Sequence, residues 1–102
     1  MFIDKGLDAL YTRFADKAYA PGRLDGKTKE LIALACSVMV DCVPCIEYHY
    51  DKARKQGATD EEVREALAIT MTVSAGSKPA KYWRLVRDLG RRGSGKRRGP
   101  RR

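Results

Sequence analysis

The spacing of apolar residues constrains this chain more than any other feature of its sequence. Over the first 89 of its 102 residues, apolar side chains recur every three or four positions. That period belongs to an α-helix, since a β-strand would alternate at every second residue. Proline and glycine interrupt the pattern, and residues that cap helices follow the interruptions. The sequence therefore predicts an all-α fold.

We predict about five helices, which cover residues 4–19, 25–40, 44–56, 59–75 and 77–89. Asp25 is suited to cap the start of the second helix. Gly57 fits the left-handed position that follows the end of the third helix. Thr59 and Glu62 have the spacing of a capping box at the start of the fourth helix. Local sequence signals thus support the division into separate helices.

Charge divides the chain into two parts. Residues 1–89 hold 14 basic and 13 acidic side chains, whereas residues 90–102 carry one Lys and six Arg and no acidic residue. The second part has no apolar side chain that could join a core, so we predict a helical domain over 1–89 and a basic disordered tail over 90–102. As a rival function, a helical oligomer could bind nucleic acid or another polyanion through this tail. The tail lacks aromatic residues for base stacking, and we favour a solvated extension.

Assembly and location follow from the distribution of apolar residues. Five short helices in 89 residues form a thin core, and residues 66–75 are apolar except for two threonines and a serine, so we expect a homo-oligomer. The longest uncharged stretch in the first half of the chain has ten residues, 31–40, which is too short to span a membrane. Residues 1–5 lack the basic and apolar regions of a signal peptide. We therefore expect a cytoplasmic protein without a membrane partner.

One group of side chains has the residue types needed for nucleophilic or acid–base chemistry. It consists of Cys42, Cys45 and His49, the single histidine of the chain. At 100° per residue they lie at about 0°, 300° and 340° around a helix, so they share one face. A helix N-terminus favours the reactive thiolate of a cysteine, and an imidazole can take the proton. A second thiol can close a disulfide on an oxidised first thiol. The spacing predicts thiol redox chemistry.

Two alternatives remain open for this cluster. A zinc ion could take the same three side chains, with Glu30 or a second chain as its fourth ligand. The cysteine pair could also be inert. We favour redox chemistry, because three ligands on one helical face suit reactive thiols better than a tetrahedral cage. The third cysteine, Cys36, lies in an apolar helical run, where we expect a small buried side chain.

The segment LDGKTKELIALACSVMVDCVPCIEYHYDKARKQGATDEEVREAL carries a four-residue pattern in which eleven, two and three residues separate Glu30, Cys42, Cys45 and His49. With this pattern the chain resembles the carboxymuconolactone decarboxylase superfamily, and within it the alkylhydroperoxidase D-like branch. The resemblance extends over about residues 24–83. It implies an all-α, cytosolic protomer that assembles into a homo-oligomer, either a trimer or a hexamer.

The resemblance also implies an activity, the reduction of hydroperoxides by a cysteine pair that a lipoamide- or thioredoxin-type dithiol reduces again. It makes Cys45 the peroxidatic thiol and Cys42 the resolving thiol. Glu30 and His49 become the proton relay that activates Cys45. Well-studied peroxidases of the family carry a histidine before the second cysteine, where this chain has Pro44, so the relay is reduced to two residues. We assign no cofactor or metal, and we set decarboxylation aside because that branch lacks the cysteine pair.

Overall fold

A computed structural model describes the backbone of residues 2–96 and the side chains of residues 2–93. Its elements are the helices α1 (Lys5–Tyr19), α2 (Gly26–Met39), α3 (Val43–Lys55) and α4 (Asp60–Lys96). Residues 2–96 contain no β-strand, so the all-α prediction is confirmed. Within the same range, no helix combines the length and the apolar character needed to cross a lipid bilayer.

The predicted helix caps are present at α2 and α4. The Asp25 carboxylate accepts a hydrogen bond of 2.8 Å from the backbone N–H of Thr28, in the first turn of α2. At the start of α4, the Thr59 hydroxyl accepts from the N–H of Glu62 at 3.1 Å, and the Glu62 carboxylate accepts from the N–H of Thr59 at 2.9 Å. These side chains satisfy backbone donors that have no partner inside a helix.

The connection between α2 and α3 is a single tight turn at Asp41. Asp41 has a φ of 56°, in the left-handed region. Its N–H donates to the carbonyl of Val38, and the N–H of Cys42 donates to the carbonyl of Ser37, each at 3.1 Å. This pair of hydrogen bonds is the Schellman arrangement, in which a left-handed residue ends a helix. The turn delivers Cys42 directly to the N-cap position of α3.

The end of α3 uses the same arrangement around Gly57, as the sequence predicts. Gly57 has a φ of 95°, and its N–H donates to the carbonyl of Arg54 at 3.0 Å. The N–H of Ala58 donates to the carbonyl of Ala53, also at 3.0 Å. Both alanines are buried. The turn therefore ends the helix and places Ala58 in the core at the same time.

The first of two compact units ends at Thr70 and contains a small core. The core residues are Leu34, Ala53, Ala58 and Val63, with Leu31, Ile46 and Leu67 packed against them. Two polar contacts join α2 to the first part of α4. Lys27 donates from Nζ to Glu62 at 2.8 Å, and the buried Thr70 hydroxyl donates to the carbonyl of Ala35 at 3.4 Å. The buried face of α2 carries Glu30, Leu34 and Ser37, and the packing of this helix fixes their positions.

The prediction of five helices is wrong, because the fourth and fifth predicted helices are one continuous α4. The predicted break rested on Gly76 and Pro79. Gly76 does not take the left-handed conformation that ends a helix. Pro79 lies inside α4 although it lacks a backbone N–H. The Ser77 hydroxyl donates to the carbonyl of Ser74 at 2.8 Å and satisfies a backbone acceptor close to the proline.

The second compact unit begins at Met71, and its described part is the remainder of α4. Residues 90–96 are helical, which corrects the prediction of disorder for that part of the basic tail. Arginine is a good helix former, and cations at a helix C-terminus interact favourably with the helix dipole. Residues 97–102 lie outside the described residues. The division into a domain over 1–89 and a tail over 90–102 therefore stays a prediction.

Candidate functional site

The N-terminus of α3 carries the cysteine pair. Cys42 and Cys45 form a disulfide, and both residues are partly buried. Cys42 is the N-cap, and its sulfur accepts a hydrogen bond of 3.2 Å from the backbone N–H of Cys45. When the pair is reduced, this N–H and the positive end of the helix favour a thiolate on Cys42. The sulfur of the first cysteine of the pair thus lies at the N-terminal end of α3.

The second cysteine, Cys45, lies one helical turn before His49, whose buried side chain contacts Glu30. His49 is 8% exposed, and its Nδ1 lies 2.7 Å from Oε1 of Glu30, which is 4% exposed. Since a carboxylate only accepts hydrogen bonds, Nδ1 is the nitrogen that donates to it, and in a neutral ring Nε2 is the acceptor. Glu30 lies on α2 and His49 on α3, and their contact joins the two helices beside Cys45. The structure therefore brings together the two residues that the sequence assigns to the relay.

A third residue reaches His49, and sequence analysis missed it. The Tyr19 hydroxyl, at the end of α1, lies 3.3 Å from Nε2 of His49. The Tyr48 ring packs edge-on against the same imidazole, with ring centres 5.0 Å apart. No local signal marks Tyr19, because it lies 30 residues before its partner and occupies an ordinary position at a helix end. Both ring nitrogens of His49 thus have partners on other helices.

An apolar cavity of about 490 Å³ opens beside these groups. Its lining residues are Tyr11, Phe14, Ala15, Ala18, Tyr19, Leu24, Lys29, Ile32, Ala33, Cys36, Ser37, Val40, Cys45 and His49. Most of these side chains are apolar. Cys45 and His49 are among the few that can act as a nucleophile, an acid or a base. Cys45 and His49 come from the same helix and face the same space. A molecule in the cavity would therefore meet a sulfur atom and an imidazole together.

The expectation of a buried Cys36 is wrong. Cys36 is a free, exposed cysteine that lines the cavity. Its helical neighbours Leu34 and Ser37 are buried, so α2 places Cys36 on a different face. Apolar periodicity along the helix indicated burial, but it could not reveal that this face borders an open cavity. A third thiol therefore shares the space that Cys45 faces.

The zinc alternative requires three or four ligands that converge on one point. In the part of the chain that the structure describes, no three His, Cys, Asp or Glu side chains are grouped as metal ligands would be. Glu30, the suggested fourth ligand, directs a carboxylate oxygen to His49 instead. Cys42 is bonded to Cys45, and His49 is hydrogen-bonded to Glu30, so the suggested ligands contact one another in pairs.

These features define a class of protein, an all-α chain with a C-x-x-C pair beside a buried Glu–His pair and an apolar cavity. Residues 6–88 match the family described as the carboxymuconolactone decarboxylase family. The match covers more than half of the chain, and the protein belongs to that family. The superfamily resemblance noted from the sequence is confirmed.

Two curated relatives extend the comparison. The chain is 37% identical over 71 residues to uncharacterized protein 4 in the cox locus of Paracoccus denitrificans, a match that covers 70% of this chain and 64% of the relative. It is 38% identical over 55 residues to an uncharacterized protein of Cupriavidus necator, covering 54% of this chain and 49% of the relative. The match thus spans less than two thirds of the length of either relative.

Solved structures of similar proteins support the fold. One is a carboxymuconolactone decarboxylase family protein of Thermotoga maritima, for which a part in the antioxidative response has been suggested. It is 29% identical with a TM-score of 0.64, and the match covers 89% of this chain and 100% of that chain. A protein of Methanobacterium thermoautotrophicum is 30% identical with a TM-score of 0.73, covering 78% of this chain and 90% of that chain.

Proposed function

We propose that the protein is a thiol-dependent peroxidase that reduces hydroperoxides through Cys42 and Cys45. One observation carries the proposal: a buried Glu30–His49 hydrogen bond of 2.7 Å lies one helical turn beyond Cys45, and Cys45 and His49 line the same cavity. A nucleophile beside an oriented base is the arrangement that thiol activation requires. The suggested antioxidative role of the Thermotoga maritima protein agrees with it.

The proposed cycle begins with the reduced pair. His49 takes the proton of the Cys45 thiol, and the Glu30 carboxylate compensates the positive charge that forms on the ring. The thiolate attacks the terminal oxygen of the hydroperoxide, the O–O bond breaks, and Cys45 becomes a sulfenic acid. The alkoxide that leaves takes the proton back from His49 and departs as an alcohol.

The resolving step returns the pair to the disulfide. The Cys42 thiolate, which the N-terminus of α3 stabilises, attacks the sulfur of the sulfenic acid, the S–O bond breaks, and the hydroxide that leaves takes a proton from solvent to become water. An external dithiol of the lipoamide or thioredoxin type then supplies two electrons and restores both thiols by disulfide exchange. The disulfide between Cys42 and Cys45 corresponds to the state before this reduction. The proposal includes a cytoplasmic location, where such dithiols are kept reduced.

Mass spectrometry of the peptide that contains Cys42 and Cys45 tests the proposal. The fully reduced protein receives one equivalent of an organic hydroperoxide, and we expect this peptide to lose two hydrogens while the peroxide is consumed. Cys45→Ser should abolish peroxide consumption. Cys42→Ser should leave a sulfenic acid on Cys45 that oxidises further to the sulfinic acid.

Cys36→Ser is the matched control, since it removes a third thiol from the same cavity. It should leave both peroxide consumption and the mass change as they are in the wild-type protein. Equal peroxide consumption by the wild-type protein and by both variants of the pair would rule out the proposed function.

A further inference from the structure

Both ring nitrogens of His49 are occupied, and this restricts how a proton can reach the ring. Nδ1 donates to Glu30 at 2.7 Å, so Nε2 is the nitrogen that can accept a proton. The partner of Nε2 is the Tyr19 hydroxyl at 3.3 Å. The Tyr19 hydroxyl therefore occupies the nitrogen of His49 that has to take a proton.

Tyr19 is held at this place by the helix that also carries Glu30. Lys29 donates from Nζ to the carbonyls of Ala18 and Ala20, at 2.9 and 2.6 Å. These carbonyls lie at the C-terminal end of α1, where backbone acceptors lack helical partners. Lys29 and Glu30 are consecutive residues of α2. One of them anchors the backbone on both sides of Tyr19, and the other orients the opposite nitrogen of His49.

We propose that Tyr19 is the third member of the relay and that its hydroxyl passes the proton between the Cys45 thiol and Nε2 of His49. The proposal rests on the proposed function, because it concerns how the same thiol is activated. Tyr19, Cys45 and His49 line one cavity, which brings the three groups to a common space.

The transfer is balanced and involves no oxidation. The S–H bond of Cys45 breaks as its proton moves to the Tyr19 oxygen, while the original hydroxyl proton of Tyr19 moves to Nε2 of His49. A new O–H bond and a new N–H bond form. The products are a Cys45 thiolate, a neutral tyrosine and an imidazolium beside the Glu30 carboxylate. Reversal of the same path returns the proton to the alkoxide that leaves the hydroperoxide.

The surroundings of Tyr19 keep its hydroxyl protonated. Burial raises the pKa of Tyr19 above its ordinary value, and the side chains of Tyr11 and Glu30 raise it further. The titratable groups around Tyr19 and His49 are Tyr11 and Asp16 on α1, Lys29, Glu30 and Cys36 on α2, and Tyr48 and Lys52 on α3. A hydroxyl that stays protonated near neutral pH can donate to Nε2 throughout the working range.

The test compares Tyr19→Phe with Tyr48→Phe. Tyr48 contacts the His49 ring edge-on, a contact that phenylalanine preserves. Both changes are made in a Cys36→Ser/Cys42→Ser background, so that Cys45 is the one thiol left, and alkylation by iodoacetamide is followed from pH 5 to 10. We expect Tyr19→Phe to move the midpoint of the pH profile up by about one unit and to slow alkylation near pH 7 about tenfold. Tyr48→Phe should leave the profile unchanged.

A second measurement determines the tautomer of His49 in the wild-type protein and then compares the two variants. His49 is the single histidine, so its ring nitrogens give an unambiguous ¹⁵N NMR signal. In the wild-type protein we expect the tautomer with hydrogen on Nδ1, and we expect the Nε2 resonance to shift in Tyr19→Phe but not in Tyr48→Phe. Hydrogen on Nε2 in the wild-type protein would overturn the assignment, as would an alkylation profile in Tyr19→Phe that is unchanged or faster.

Failure of this inference can be distinguished from failure of the proposed function, since neither measurement uses peroxide. A protein whose Cys45 reactivity depends on Tyr19 but which consumes no hydroperoxide would overturn the peroxidase and leave the relay in place. Full peroxide consumption with no dependence on Tyr19 would overturn the relay alone.

Discussion

The two ring nitrogens of His49 set what the candidate site can do. Glu30 fixes which nitrogen carries the hydrogen, and the other nitrogen is left to accept a proton. Burial of both residues makes this arrangement depend on their mutual contact, because a buried carboxylate without a partner is costly. Cys45, the nucleophile of the proposed reaction, lies on the same helix as His49. The site therefore consists of few side chains, and the effect of each on the reactivity of Cys45 can be measured by a single substitution.

Glu30→Gln should separate the charge of Glu30 from its hydrogen bond. The amide can still accept from Nδ1, but it cannot compensate the charge of an imidazolium. We expect the reaction of Cys45 with hydroperoxide to slow by about 10- to 100-fold near pH 7 and its pH profile to move upward. His49→Gln should act in the same direction. Stopped-flow peroxide consumption from pH 5 to 9 measures both.

Glu47→Gln provides the control, since Glu47 is an exposed carboxylate on the same helix as Cys45 and His49. It should follow the wild-type pH profile. A Glu30→Gln protein with the wild-type rate and profile would contradict a role for the Glu30 charge in the relay.

Helix ends hold the site together through hydrogen bonds of the backbone. The left-handed Asp41 ends α2 and places Cys42 at the N-cap of α3 within one residue. The capping box at α4 and the ion pair between Lys27 and Glu62 join the start of α4 to α2. The position of the cysteine pair thus depends on turn chemistry as much as on the core.

Asp41→Val should destabilise the protein by about 1–2 kcal/mol, because a left-handed conformation costs a side chain with a branched β-carbon more than it costs aspartate. Asp41→Asn and Asp41→Gly tolerate this conformation and should stay close to the wild-type stability. Urea unfolding followed by circular dichroism measures the free energy of unfolding. A valine variant as stable as the asparagine variant would show that the turn does not require the left-handed residue.

Two capping carboxylates make stability depend on pH. Hydrogen bonds from Thr28 lower the pKa of Asp25, and the contacts with Lys27 and then with Thr59 lower the pKa of Glu62. Both groups bind protons more weakly in the folded state, so their contribution is present above the unfolded pKa and is lost as the pH falls through the folded pKa.

We therefore expect the free energy of unfolding to be level above about pH 5 and to decline below about pH 4. Urea titrations at a series of pH values measure this profile. In the double variant Asp25→Asn/Glu62→Gln, which cannot titrate at these positions, the decline should be shallower. Parallel profiles for the variant and the wild-type protein would refute the assignment.

The protomer exposes more large apolar side chains than its small core buries. On α1, Leu7, Leu10 and Phe14 are 57%, 54% and 71% exposed. In the second unit, Trp83 and Val86 are 50% and 64% exposed. Apolar surface on this scale is typical of subunit interfaces. The predicted homo-oligomer is consistent with this surface, and the polyanion-binding tail also stays a prediction.

Sedimentation equilibrium should give a mass of three or six times the 11.4 kDa of the protomer. Val86→Lys should lower that mass, because a lysine buried without a partner in an interface is costly. Asp88→Lys, on the same exposed helix, should keep the wild-type mass. A wild-type protein that sediments as a single protomer at micromolar concentration would contradict the prediction.

Apolar spacing and capping residues were enough to predict the helical elements and several of their ends. Asp25, Thr59 and Gly57 act as the sequence indicates, because caps and turns depend on atoms a few residues apart. The break at Gly76, ahead of Pro79, was predicted wrongly, since a proline makes a helix costly without making it impossible.

Contacts between helices lay beyond what local patterns could predict. The exposure of Cys36 and the contact of Tyr19 with His49 depend on how α1 lies against α2 and α3. The pairing of Glu30 with His49 spans 19 residues, and that of Tyr19 spans 30. Helical periodicity places a residue on a face, whereas packing between helices selects the neighbour that this face meets. The amino-acid order and the family resemblance thus specified the cysteine pair, its helix and Glu30 as the partner of His49, whereas only the folded chain showed Tyr19 at the second ring nitrogen.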